Sequence, residues 1–97
     1  MRGTKARYAD LPEEKRLKVA AEIVGEVLKN HRGWFATLNA GKLLRKKGYQ
    51  PSVADYSVMI SDIVRLGSFN LNGSRWVLYT LKKNGKTCVI ICFRRIE

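Results

Sequence analysis

The stretch Leu43-Leu44-Arg45-Lys46-Lys47-Gly48-Tyr49-Gln50-Pro51-Ser52-Val53-Ala54-Asp55-Tyr56-Ser57-Val58-Met59-Ile60-Ser61-Asp62-Ile63-Val64-Arg65-Leu66-Gly67 contains two helix ends and a helix start. Arg45, Lys46 and Lys47 put cations where a helix dipole is negative, and Gly48 is the residue on which helices most often stop. Tyr49-Gln50-Pro51 then leaves room only for a tight connection. Ser52, with Asp55 three residues on, has the spacing of a capping box and predicts the start of the next helix. At about 100° per residue, Val53, Tyr56, Met59, Ile60, Ile63, Val64 and Leu66 fall on one side of that helix. Ala54, Ser57, Val58, Ser61, Asp62 and Arg65 fall on the other, and Gly67 closes it. The expectation is two helices joined by a short turn.

Upstream, Asp10 and Glu13 have capping-box spacing and Pro12 suits a first helical turn. Leu17, Ala20, Ala21, Val24, Val27 and Leu28 recur at helical spacing, which predicts a first helix ending near Asn30. Gly33 breaks the pattern, and Trp34-Phe35-Ala36-Thr37 is aromatic and β-prone, suited to a brief strand or extended lead-in. Asn39 is placed to cap the second helix. Downstream of Gly67 the period changes to two, and the pairs Asn72-Gly73 and Asn84-Gly85 signal two-residue hairpin turns. They delimit strands expected over Phe69–Leu71, Arg75–Lys82 and Thr87–Arg95. Cys88 to Phe93 is apolar on both faces, so the last strand is expected to be covered by the first helix on one side and open to another chain on the other.

Ninety-seven residues make one domain, too short for a complete doubly wound or barrel enzyme. The chain reads as a basic flexible arm over residues 1–9 and one domain over residues 10–97. Nineteen Lys and Arg against eight Asp and Glu give a net charge of +11, which calls for an anionic partner. The charge is unevenly placed: Met1–Val27 holds six basic and five acidic residues, whereas Leu28–Glu97 holds thirteen basic residues and only Asp55, Asp62 and Glu97 as acids.

The order helix, short strand, helix, tight turn, helix, hairpin, carried by Leu43–Gly67 and by the hairpin tip Lys82-Lys83-Asn84-Gly85-Lys86, resembles the winged helix-turn-helix family. The resemblance implies an α+β fold of three helices with a C-terminal β-hairpin wing. It implies binding of double-stranded DNA, with the third helix in the major groove and the wing along the neighbouring backbone. Carried over by position, the contacts to phosphate would come from Lys42, Arg45, Lys46, Lys47, Arg75, Lys82, Lys83 and Lys86. The candidates for base edges are Gln50, Ser52, Ala54, Ser57, Val58, Ser61 and Arg65, and Arg2, Lys5 and Arg7 would lie on the arm. The third helix departs from the family's usual pattern, since its one Arg is accompanied by Asp55 and Asp62, which would repel phosphates. A transcriptional regulator and a sequence-tolerant architectural factor are both open, as are an RNA-binding or ribosome-associated domain, a protein-interaction module and a homodimer.

Catalysis has little support. His31 is the single histidine, and it reads as a dipole-complementing or surface residue; no metal set assembles from it and two cysteines. Gly41-Lys42 resembles the end of a phosphate loop, but Ala36 and Leu43 stand where Gly and Ser or Thr are required. No enzyme activity, cofactor or metal is expected. Cys88 and Cys92, about 13 Å apart along a strand, are too distant for a mutual disulfide and read as core residues. Trp34, Tyr49 and Trp76 also read chiefly as core, with base stacking the alternative. The longest apolar run, six residues from Cys88 to Phe93, cannot span a bilayer, and Met1–Asp10 lacks the apolar stretch of a signal peptide. An intracellular protein of the cytoplasm or nucleoid, without a membrane partner, is the expectation.

Overall fold

The computed structural model describes residues 7–84 and 88–96. A single 3-10 turn over Tyr8–Asp10 leads into α1 (Glu13–Leu28), followed by β1 (Phe35–Asn39), α2 (Ala40–Lys46), α3 (Val53–Leu66), β2 (Ser68–Leu71), β3 (Ser74–Asn84) and β4 (Cys88–Arg95). The four strands form one antiparallel sheet in the order β1-β4-β3-β2, so β1 pairs with the last strand across the chain. The architecture is α+β, three helices against a four-stranded sheet.

Local signals set the element boundaries. The Asn39 side chain accepts a hydrogen bond from Lys42 N at 3.0 Å and starts α2 directly at the end of β1. Gly48, at φ +94°, ends α2, and Tyr49 N donates back to Leu44 O at 3.0 Å, closing the last turn. Asn72 and Gly73 both have positive φ, 51° and 80°, the backbone that a tight hairpin turn between β2 and β3 requires. The second expected turn, Asn84-Gly85, extends outside the described residues.

Alternation in the strands sorts side chains to two faces. Ala36, Leu38, Phe69, Trp76, Val89, Ile91 and Phe93 point into one core with Val19, Ala20, Ile23, Val24 and Leu28 of α1 and Tyr56, Met59 and Ile63 of α3. A β-bulge between Leu78 and Thr80 keeps Leu78 and Leu81 packed on the core and leaves Tyr79 exposed. The last strand is apolar on both faces as expected: Val89, Ile91 and Phe93 are inward, while Cys92, a free thiol, is buried on the other side.

The structure departs from the sequence reading chiefly around α1 and the segment before it. Pro12 stands at the N-cap of α1 and no side chain caps it, because Asp10 is held in the preceding 3-10 turn. The buried stripe of α1 is centred on Val19, Ile23 and Val24, with Leu17, Ala21 and Val27 half-buried, because α3 and the sheet approach this helix from different sides. The domain also begins earlier than residue 10. Tyr8 is fully buried and Ala9 N donates to Asp55 Oδ1 at 2.9 Å, so the inner end of the expected arm belongs to the core.

Candidate nucleic-acid interface

The turn between α2 and α3 brings the cationic end of one helix to the start of the other. Lys42, Arg45, Lys46 and Lys47 are all exposed. Arg45, Tyr49, Gln50 and Pro51 line a shallow cavity of about 250 Å³ beside the α3 N-terminus, whose first turn is capped within the chain by Ser52 and Asp55. Lys47 is engaged: its ammonium lies 2.9 Å from Glu26 of α1. That hydrogen bond raises the pKa of Lys47 and lowers that of Glu26. Among the described residues no ion pair involves Lys42, Arg45 or Lys46.

The two acids of α3 are not on its outer face. Asp55 is 0% exposed and Asp62 1%. Asp55 accepts from Ala9 N at 2.9 Å, from Ser52 N at 2.7 Å and from Ser52 Oγ at 2.9 Å, and Arg7 Nη2 lies 3.5 Å away. Burial pushes its pKa up, but these hydrogen bonds and the Arg7 charge outweigh that and hold it below the usual carboxylate value. Asp62 accepts from Tyr8 Oη at 2.7 Å and from Arg16 Nε at 3.1 Å. Burial first, and then the bond to Asp62, push the Tyr8 phenol well above its ordinary pKa, so it stays a donor. Arg16 is held in its charged form chiefly by the same carboxylate.

This network corrects the expected division of α3. Asp62 turns inward to meet Tyr8 and Arg16, and the helix rotates accordingly, leaving Val53 and Val64 outside, each 59% exposed. Ala54, Ser57, Ser61 and Arg65 are exposed as expected, and Val58 is half-buried. Arg65 pairs with Glu13 of α1. Ser52 departs from the base-edge set in availability: its hydroxyl donates to Asp55 and accepts from Arg7 Nη2 at 2.6 Å. Gln50 is exposed.

Arg7 therefore lies on the α3 N-terminus and not on a free arm. Arg2 and Lys5 fall outside the described residues, as does Lys86. Lys82 and Lys83 are exposed near the far end of β3, and Arg75 is exposed near its start. Neither α2 nor any strand contains an acid, so the described surface of these elements carries charge of one sign.

A second cationic and aromatic group lies at the other end of the sheet and was not singled out from the sequence. Arg95 sits over the Trp34 ring at 4.3 Å, Arg94 lies 5.6 Å from the centre of the Tyr79 ring, and Phe35 and Tyr79 are 5.6 Å apart. The run Asn30-His31-Arg32-Gly33-Trp34 and the pair Arg94-Arg95 were the available signals, but only sheet pairing places Phe35 opposite Arg94. Of the three aromatic residues weighed for stacking, Trp76 is core, Tyr49 is half-buried and Trp34 is exposed.

Comparison with protein families, curated proteins and solved structures returned no match. Among the described residues no group of three or more His, Cys, Asp or Glu could hold a metal ion, and no helix is long and apolar enough to cross a membrane.

Proposed function

We propose that this protein is a winged-helix domain that binds double-stranded DNA chiefly through its backbone. The element order, with β1 beside the last strand and a long β3–β4 hairpin after α3, supports the fold reading. The observation that carries the function is the burial of Asp55 and Asp62, which removes both carboxylates of α3 from its outer surface and leaves Lys42, Arg45 and Lys46 exposed on α2. The repulsion anticipated from the sequence is then absent, and α3 can approach a groove with only Arg65 and neutral side chains outward.

In this reading α3 enters the major groove, the α2 cations hold phosphates on one side, and Lys82 and Lys83 hold the backbone on the other. On the outer face Ala54, Ser57, Ser61, Val53 and Val64 offer no bidentate partner for a purine; that role is left to Arg65, which is paired with Glu13, and to Gln50 in the turn before the helix. Valine and alanine contacts to thymine methyls discriminate weakly, so the grip is sequence-tolerant and fits an architectural factor better than a selective regulator.

About five neutralised phosphates would give a log affinity that falls with log salt at a slope of roughly −4 to −5. Titration of a random-sequence duplex at several salt concentrations, with folded RNA as competitor, measures this. A salt-independent affinity, or preferential displacement by the RNA, rejects the duplex reading.

A further inference from the structure

At the end of the sheet away from Lys82 and Lys83, a cavity of about 530 Å³ opens between the C-terminal end of α1 and the β2–β3 turn. Lys29, His31 and Arg32 line one part of it, and Ser74, Trp76 and Arg95 line another; none of its lining residues is acidic. Its volume is in the range of small-molecule sites and well above what a single carboxylate fills.

Two side-chain nitrogens of these lining residues are buried without a hydrogen-bond partner among the described residues, Trp76 Nε1 and Arg95 Nε. Trp76 is wholly buried. Native interiors pair such donors almost without exception, so two at one cavity point to an acceptor supplied from outside the chain. The nearby helix-end carbonyls are bonded elsewhere and to neither nitrogen: Gly25 O accepts from Lys29 N at 3.0 Å, Leu28 O accepts from His31 N at 3.1 Å, and Lys29 O accepts from Asn72 Nδ2. What is left facing the cavity is rich in donors and cations. Its complement is a group with several acceptor oxygens and negative charge, and the guanidinium fork of Arg95 matches phosphate geometry. Trp34, 57% exposed and stacked under Arg95, adds a flat surface at the rim for a base.

We propose that this cavity is a phosphate-binding site for a nucleotide unit, held by Arg95 and Arg32 with Trp76 Nε1 as a buried donor. The phosphate belongs either to a free nucleoside monophosphate or to a nucleotide of a single strand. The site is separate from the duplex surface proposed above: along β3, Trp76 and Lys82 are six residues and about 20 Å apart.

Both tryptophans of the chain are at this site, so intrinsic fluorescence reports on it. In the Trp34→Phe protein, which leaves Trp76 as the sole tryptophan, emission excited selectively at tryptophan should give a saturable change in titrations with adenosine monophosphate, inorganic phosphate and a short 5′-phosphorylated single strand. Arg95→Gln should weaken binding at least tenfold. Arg32→Gln, at an exposed position, should weaken it several-fold with an unchanged melting temperature, which keeps the test valid where Arg95→Gln fails to fold. Tighter binding of the strand than of the mononucleotide assigns the phosphate to nucleic acid, and the converse assigns it to a free ligand. No saturable response to any of the three, a response reproduced by sodium chloride at matched ionic strength, or affinities unaltered by both substitutions would overturn the proposal. The Lys42, Arg45 and Lys46 contacts to duplex DNA are read by a separate titration, so either reading can fail alone.

Discussion

At the junction of the N-terminal segment with α3, each charge is matched by a nearby partner: Asp55 by Ala9, Ser52 and Arg7, and Asp62 by Tyr8 and Arg16. On the surface made by α2 and the end of β3, Lys42, Arg45, Lys46, Lys82 and Lys83 take part in no ion pair among the described residues. The first arrangement uses its electrostatics to fix one geometry, since an unpaired buried carboxylate is far costlier than a paired one. The second leaves its electrostatics for something outside the chain. Substitutions at the junction should therefore change stability while leaving binding by the folded molecule intact, and substitutions on the surface should do the reverse.

The largest effect is expected from Asp62→Ala, which takes from the buried Tyr8 hydroxyl its shorter hydrogen bond, leaving only that to Arg16 O at 3.1 Å, and leaves the Arg16 guanidinium without its carboxylate. A loss of about 3 kcal/mol or more is expected, enough to threaten folding of a domain this small. Urea denaturation measures it. Tyr8→Phe removes one donor and keeps the Arg16 pair, and should cost about 1 kcal/mol. Equal losses for the two variants would show that the carboxylate is not the centre of the junction.

On the other surface, Lys42→Ala, Arg45→Ala and Lys46→Ala together should lower duplex affinity and make the salt slope shallower by roughly 2 to 3, close to one unit for each phosphate left without its cation. The melting temperature should stay near that of the parent. A large loss of stability from this triple variant would erase the contrast between the regions.

The difference between the two regions also explains what could be read from the sequence. Caps, stops and tight turns depend on residues within a few positions of each other, and Asn39, Gly48, the Ser52 and Asp55 pair and Asn72-Gly73 act in the structure as their types predict. The exposed cations were legible for the same reason, since a Lys-rich helix end is a local pattern. The junction was not legible. Tyr8 and Asp62 are 54 residues apart, and Arg16 and Asp62 are 46 apart. An acid on a helix reads as solvated unless its distant partners are known. Periodicity left α3 free to rotate by part of a turn, and it was the two aspartates that decided the rotation, exposing Val53 and Val64. The phosphate-site residues were hidden likewise, because strand pairing gathers them from Lys29 through Arg95.

A pH series separates the regions without removing any packing. The pKa of Asp55 is lower in the folded protein than in the unfolded chain, where it is about 3.9. Below that value the unfolded chain takes up the proton first, so the stability Asp55 contributes is present above about pH 4 and is lost as pH falls through the folded value. Asp55→Asn should flatten this acid limb of the stability curve. An acid limb of unaltered steepness in that variant would place the acid sensitivity elsewhere.

The smallest effect, and the sharpest test of the boundary between the regions, is expected from Glu13→Gln. Glu13 is exposed and pairs with Arg65, the one cation on the outer face of α3, so this ion pair lies where junction and surface meet. An exposed pair of this kind adds little to folding, and the melting temperature should not move measurably. Its loss removes a carboxylate from the edge of the proposed groove-facing helix and frees Arg65 for a phosphate. Duplex affinity should rise a few-fold at low salt, and the gain should shrink as salt screens the added contact. Arg65→Gln in the Glu13→Gln background should abolish the gain. A gain that survives loss of Arg65 would mean that Glu13 acts only as a distant negative charge, and α3 would then lie farther from the duplex than the major groove requires.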